Sequence, residues 1–315
     1  MSVLFCFGFG YTARHLARAL QPPGFAVRGT SREPAPPDCE GVVLFRFSRA
    51  HPLAQPERAL AGVTHILVSI PPDEQGDPVL DLHLHDLLRH TRPQWVGYLS
   101  TTAVYGDRGG AWVCEEDEPT PRLPRAVRRL AAEQAWLASG LPVHIFRLAG
   151  IYGPGRNSLL ALLDGTAHRI IKPGQVFSRI HVDDLVQVLI ASMKAPRPGR
   201  IYNVCDDEPA PPQDVVTFAA QLLAIEPPPE EPFESASLSP IARSFYADNR
   251  RVRNDRIRIE LGVQLRYPSF REGLRSLLVS DPLVQMRLAA RKSGHRGMPQ
   301  DAAAGRFDSS AQRDS

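Results

Sequence analysis

Lysine is almost missing from this 315-residue chain: it stands only at Lys172, Lys194 and Lys292, so arginine carries nearly all the basic charge. An arginine where a lysine would serve is therefore weak evidence on its own. Cysteine is sparse too, and the four (Cys6, Cys39, Cys114 and Cys205) include no Cys-x-x-Cys pair. No disulfide framework and no metal site are expected from them. No apolar run reaches membrane-spanning length. An excess of one charge sign is also absent, since 37 basic residues face 34 acidic ones for a formal net charge of +3. With the two signs interspersed, nothing suggests a nucleic-acid footprint. These absences predict a protein of the reducing cytoplasm with neither nucleic acid nor membrane as partner. A first strand starting at Val3 leaves no space for a signal peptide.

What the chain does have begins at once. The apolar run Val3 to Phe7 breaks into Gly8-Phe9-Gly10-Tyr11-Thr12-Ala13 and an amphipathic stretch to Leu20, which reads as strand, phosphate-sized turn and helix start. Gly8 permits a sharp turn, Gly10 lets backbone N–H groups approach a pyrophosphate, and Ala13 lets the helix lie close to the strand. The helix N-terminus adds partial positive charge where phosphates would rest. Phe25 to Thr30, after the turn signal Pro22-Pro23-Gly24, reads as a second strand and completes a β-α-β unit. At that strand's tip an NAD-preferring site carries Asp or Glu for the ribose 2′-OH; this chain has Thr30-Ser31-Arg32. Arg32 pairing with a 2′-phosphate and Ser31 donating its hydroxyl predict NADP(H) over NAD(H). The alternative is that Arg32 is one more solvated arginine.

Apolar runs recur at 42–47, 65–70, 95–99, 142–148 and 200–204, separated by helical stretches such as 81–90 and 125–138. Buried parallel strands have this pattern. The run ending Ser69-Ile70-Pro71-Pro72 stops in residues that cannot continue a ladder, so its carboxyl end should open onto the ligand crevice of such sheets. The fold class predicted is α/β, a Rossmann-type doubly wound parallel sheet with a smaller C-terminal substrate domain. The dinucleotide domain takes 1–155 and 179–206 and the smaller domain 156–178 and 207–280, with 281–315 a disordered tail.

The strings FGFGYTA at 7–13, YLSTTAVYGD at 98–107, AAEQAWL at 131–137, RLAGIYGPGR at 147–156, RIHVDDL at 179–185, IYNVCDDEP at 201–209 and ELGVQLRYPSFREGL at 260–274 follow one another in this order. In that order and spacing they resemble the extended short-chain dehydrogenase/reductase family, which includes nucleotide-sugar epimerases and dehydratases. The resemblance implies a small-molecule substrate, a homodimer as a possible assembly, and dinucleotide contacts from Gly8, Gly10, Tyr11, Thr12, Ala13, Ser31, Arg32, Ser69, Ile70, Pro71, Ser100 and Arg129. The family's chemistry uses a Ser or Thr that polarises the substrate oxygen, a Tyr that gives or takes its proton, and a Lys that lowers the Tyr pKa and holds the ribose. Thr101 occupies the first position.

The other two positions have changed. Counting back from Glu133, the Lys position holds Arg129 and the Tyr position holds Arg125, and no Tyr-x-x-x-Lys exists anywhere in the chain. A guanidinium stays charged near neutral pH and cannot cycle a proton. Tyr105, Tyr152 and His181 are the candidates for a replacement relay, each with a structural alternative. Arg125 and Arg129, one helical turn apart, either form an anion site or join Arg122 and Arg128 in a solvated basic stripe. In the first case the ligand is a phosphorylated sugar or a carboxylate, and Tyr152, Arg156, Asn157 and Arg179 are further residues to grip it. Three functions are open: an NADP(H)-dependent oxidoreductase or epimerase-like enzyme with a non-standard proton relay, a sensor or scaffold that binds NADP(H) without turnover, or an NAD-linked lyase or isomerase that uses the cofactor transiently.

Overall fold

The computed structural model describes residues 2–21, 24–33 and 41–294. Seven strands form one parallel sheet: β1 (Val3–Phe7), β2 (Ala26–Ser31), β3 (Val42–Arg46), β4 (His65–Val68), β5 (Trp95–Thr101), β6 (Val143–Leu148) and β7 (Ile201–Val204). Their spatial order is 3-2-1-4-5-6-7, so the order reverses at β1 and a crevice opens at the carboxyl ends of β1 and β4.

Alternation along each strand explains the two layers that cover the sheet. Leu4 and Cys6 point to one face and Phe5 and Phe7 to the other, all fully buried. On the first face lie α1 (Tyr11–Leu20) and α4 (Val182–Lys194), with Leu16, Leu20, Leu185 and Leu189 packed on Trp95, Phe146 and Tyr202. On the second lie α2 (Pro78–His90) and α3 (Pro124–Leu137), with Val79, Leu87, Ala132 and Trp136 against Phe5, Val96, Tyr98 and Ile145. Asp77 joins these two helices: its Oδ1 accepts from the first-turn amides Val79 N and Leu80 N, and its Oδ2 accepts from Trp136 Nε1 at 3.0 Å.

α3 is fixed to the sheet by charge as well as by packing. Glu133 and Arg147 of β6 are both buried and share a forked pair, with Arg147 Nη2 donating to Glu133 Oε2 at 2.8 Å and Nε reaching both oxygens at 3.2 Å. Ser100 donates its hydroxyl to the same carboxylate.

Beyond β7 the chain builds a smaller unit beside the strand ends. Its apolar cluster joins Tyr152 and the helix Ser158–Leu163 to the helices Pro212–Leu223 and Phe270–Ser280. The tail expected from 281 onward is corrected in its first part: Pro282–Gly294 is a helix, and Val284 and Leu288 pack into that cluster. It starts there because Asp281, itself buried, accepts from the Leu283 amide, and Pro282 follows it at a first-turn position where a missing N–H costs nothing. Residues 295–315 and Cys39 lie outside the described residues.

Two stability measurements follow. Glu133→Ala leaves a buried guanidinium without its carboxylate and is expected to lower unfolding free energy by about 3–5 kcal/mol in urea titrations. His144 is buried neutral, accepting from the Arg197 amide at Nε2, and burial pushes its pKa down to about 4. Between pH ~6.5 and ~4 the unfolded chain therefore takes up a proton that the folded chain refuses. Stability should be full above that window and fall by about 3 kcal/mol across it on acidification. His144→Gln should remove this part of the slope in denaturation curves recorded at successive pH values.

Candidate functional site

A cavity of about 840 Å³ opens at the carboxyl ends of β1, β4, β5 and β6 and is closed on its far side by residues 168–179 and 238–252. Two halves can be distinguished by their lining.

The first half is the turn after β1. Gly8 has φ +88°, and a Cβ there would lie 2.6 Å from Ser69 Oγ, so only glycine fits. Its amide is already used, donating to Thr30 Oγ1 at 2.8 Å, and the Phe9 amide donates to Thr30 O. Gly10 differs in every respect. Its φ of −90° suits any residue, and a Cβ would meet nothing within 4 Å. It lines the cavity with Tyr11 and Thr12, at the head of a helix with no side-chain cap and no acid in its first turn. Neither packing nor backbone strain asks for glycine at 10, whereas a ligand approaching the first-turn amides of α1 would. Ala13 is fully buried beneath them, and Tyr11 donates its hydroxyl to Pro154 O at 3.0 Å. Ser69 lines this half, its hydroxyl donating to Gly8 O.

Other expected dinucleotide residues stand apart from the cavity. Ile70 packs under the Gly8 turn and Pro71 is exposed beyond it. Ser31 ends β2, its hydroxyl accepting from the Glu33 amide, and Arg32 is exposed just past the strand tip.

The second half centres on the start of α3, which packs on β5 and on the 3-10 turn Thr102–Tyr105 that follows it. Thr101 faces the cavity and caps that turn, its Oγ1 accepting from the Ala103 amide at 3.2 Å, which leaves its own proton to donate. Arg129 also lines the cavity and anchors one nitrogen, Nη1, on Tyr98 Oη at 3.0 Å and on Leu99 O at 3.2 Å. Arg125 lies 4.3 Å over the Phe245 ring and makes no hydrogen bond or ion pair among the described residues. Arg179 donates Nη1 to the carbonyls of Phe177 and Ala210 and likewise has no ion pair. The nearby Asp206 carboxyl is buried without a hydrogen-bond partner, and burial raises its pKa well above the carboxylate range. Arg156 lines the rim, 6.0 Å from the Tyr11 ring.

Three expected roles are corrected. Tyr105 is fully buried and outside the cavity: the 3-10 turn carries its ring inward against the Arg147 guanidinium at 4.8 Å, and its hydroxyl donates to Asn203 Oδ1 at 2.7 Å. Asn157 caps the helix Ser158–Leu163 and donates to Asp281 Oδ2, away from the cavity. His181 is buried against Tyr267 at 4.1 Å, its Nδ1 accepts from the Asp183 amide, and burial pushes its pKa down to about 4. It is a neutral core residue. Ser100 borders the cavity with its hydroxyl given to Glu133, and Tyr152 borders it with its hydroxyl donating to Ser269 O at 3.3 Å.

Arg250, Asp248, Phe245 and Tyr246 were missed by sequence reasoning. Arg250 donates to Gly106 O at 2.8 Å and pairs with Asp248 at 3.1 Å. Read in sequence, Asn249-Arg250-Arg251 is indistinguishable from a solvated basic stretch. Among the described residues the cavity lining holds five arginines and one carboxylate, so its field favours an anionic ligand.

Several known proteins are similar to this chain. A solved structure of a functionally unknown conserved protein from Silicibacter pomeroyi DSS is 52% identical, with a TM-score of 0.79, covering 88% of this chain and 98% of that one. Protein YeeZ of Escherichia coli (strain K12) is 28% identical over 289 residues, 83% of this chain and 94% of that protein. A 3-diazoavenalumate denitrifying reductase of Streptomyces sp is 32% identical over 172 residues, which are 50% of this chain and 55% of that protein. Residues 8–205, which carry the glycine turn, Thr101, Arg125 and Arg129, match the description of one family, and the chain belongs to it: the NAD dependent epimerase/dehydratase family.

Proposed function

We propose that this protein is a nicotinamide-dinucleotide oxidoreductase or epimerase-like enzyme that prefers NADP(H) and acts on a small anionic substrate. The observation that carries the reading is the juxtaposition, in one cavity, of a glycine that only a ligand requires, at position 10, with Arg125, Arg129, Arg156 and Arg179, which make no ion pair among the described residues. When bound, the dinucleotide supplies hydride chemistry. The chain's own residues supply the rest. The first-turn amides of α1 receive the diphosphate, Arg129 holds ribose hydroxyls in place of the family lysine, Arg179 and Arg156 attract the acidic group of the substrate, and the Thr101 hydroxyl donates to the substrate oxygen beside Arg125. Ser31 and Arg32 at the β2 tip receive the 2′-phosphate. The family's NAD dependence and the reductase named among the relatives support a nicotinamide dinucleotide as cofactor, while the preference for NADP(H) rests on Ser31 and Arg32 alone.

A second reading, a protein that holds the dinucleotide without turning it over, is favoured by Arg125 standing where the family has its proton-transferring tyrosine. Loss of NADPH absorbance with sugar nucleotides, ketones or quinones marks a net oxidoreductase, product analysis of the same mixtures marks an epimerase-like enzyme that restores its cofactor, and a protein that only holds the dinucleotide gives neither signal.

Gly10→Ala should leave urea stability within about 0.5 kcal/mol of the parent while weakening dinucleotide binding about tenfold or more, read by NADPH fluorescence. Arg32→Ala should cost about tenfold or more in NADPH affinity and less than about twofold in NADH affinity. Equal losses in calorimetric titrations with both would remove the 2′-phosphate assignment.

A further inference from the structure

Resting on the cofactor reading above, we infer that the reacting oxygen of the substrate belongs to a conjugated carbonyl, enol or phenol, not to an isolated alcohol such as a sugar hydroxyl. An isolated alkoxide is strongly basic, so its formation or collapse needs a group that moves a proton in step. Among the described residues no such group stands at the family's tyrosine position on α3, where Arg125 lines the cavity instead. Tyr11 and Tyr152 have given their hydroxyls to Pro154 O and Ser269 O. Asp248 is paired with Arg250, and His168, half exposed and paired with Glu231 at 3.0 Å, belongs to the far wall of the cavity and not to α3. Tyr246 belongs to an aromatic cluster with Phe177 and Phe233 on the smaller unit.

At the family's tyrosine position stands the Arg125 guanidinium, backed by Phe245 and without a hydrogen bond or ion pair among the described residues. It cannot release a proton near neutral pH, but its donors can hold an oxygen that is already a weak base. Thr101, on the turn against which α3 packs, adds one neutral donor. In the reductive direction, hydride from a reduced nicotinamide dinucleotide arrives at the electrophilic carbon. The π pair of the conjugated system moves onto oxygen, Arg125 pairs with the resulting stabilised anion, and water supplies the proton afterwards. The charged groups around that oxygen are Arg125, Arg129 one turn along, and the Arg250–Asp248 pair, a balance that leaves net positive charge.

A chromogenic phenol tests this without turnover. With 4-nitrophenol bound to the full-length protein in the presence of NADP+, the phenolate colour should appear about one pH unit lower than for the free probe, a tenfold shift in its ionisation constant. Arg125→Gln should return the midpoint to the free value, Arg125→Lys should restore part of the shift, and Tyr246→Phe should leave it unchanged. An unshifted midpoint at saturation, no binding of the probe up to its solubility limit, the same shift in Arg125→Gln, or its loss in Tyr246→Phe would each overturn the inference. A parallel NADPH fluorescence titration keeps the two levels apart. Cofactor binding with an unshifted probe leaves the proposed function standing, and absence of cofactor binding overturns both.

Discussion

The buried Glu133–Arg147 fork is the constraint on which the rest of the site depends. α3 carries Arg125 and Arg129 and packs on β5 and the turn after it, while Arg147 belongs to the next strand, β6. Apolar contacts through Ala132 and Trp136 set the distance of the helix from the sheet, but such contacts tolerate sliding and rotation. A two-pronged charge pair does not. Removing two charges from water costs several kcal/mol for each ion, and the cost is offset only when geometry is good and the remaining donors find partners. Here Ser100 supplies another hydrogen bond to the carboxylate, whereas Arg147 Nη1 has no hydrogen-bond partner among the described residues and the guanidinium rests on the Tyr105 ring. Stability is a poor reason to keep such a pair. Fixing the rotation of α3, so that its first-turn arginine faces the cavity, is a better one.

The same network explains why the altered triad does not dismantle the site. Tyr105, Ser100 and Glu133 hold Arg147 and Asn203 in place, so the scaffold beneath Thr101, Arg125 and Arg129 does not depend on which side chains stand at those three positions. Thr101 remains where the turn after β5 presents it, and Arg129 keeps its hold on Leu99 O. What has been exchanged is the chemistry of two side chains on one helical face.

The sheet and its glycine turn were readable from sequence because their signals are local: apolar runs between breakers, and glycines whose spacing follows from backbone geometry. Thr101 could be placed for the same reason, since it sits a fixed number of residues into a turn. Tyr105 was misjudged because the string around it is carried by packing, and nothing in a row of letters says which way a 3-10 turn rotates a ring. Arg250 and Phe245 could not be found at all. They reach the cavity only because the smaller unit folds back on the strand ends, more than a hundred positions downstream of α3 in the chain. The difference between Gly8 and Gly10 was likewise invisible until neighbouring atoms were placed around each.

Asp281 closes the Phe270–Ser280 helix and opens the next, yet its Oδ2 also accepts from the Gly155 amide and from Asn157 Nδ2. Arg156 hangs between those two residues at the mouth of the cavity. The Pro282–Gly294 helix is therefore tied through a single carboxylate to the loop that carries Arg156 at the cavity rim, so the seating of that helix and the shape of the rim are set together.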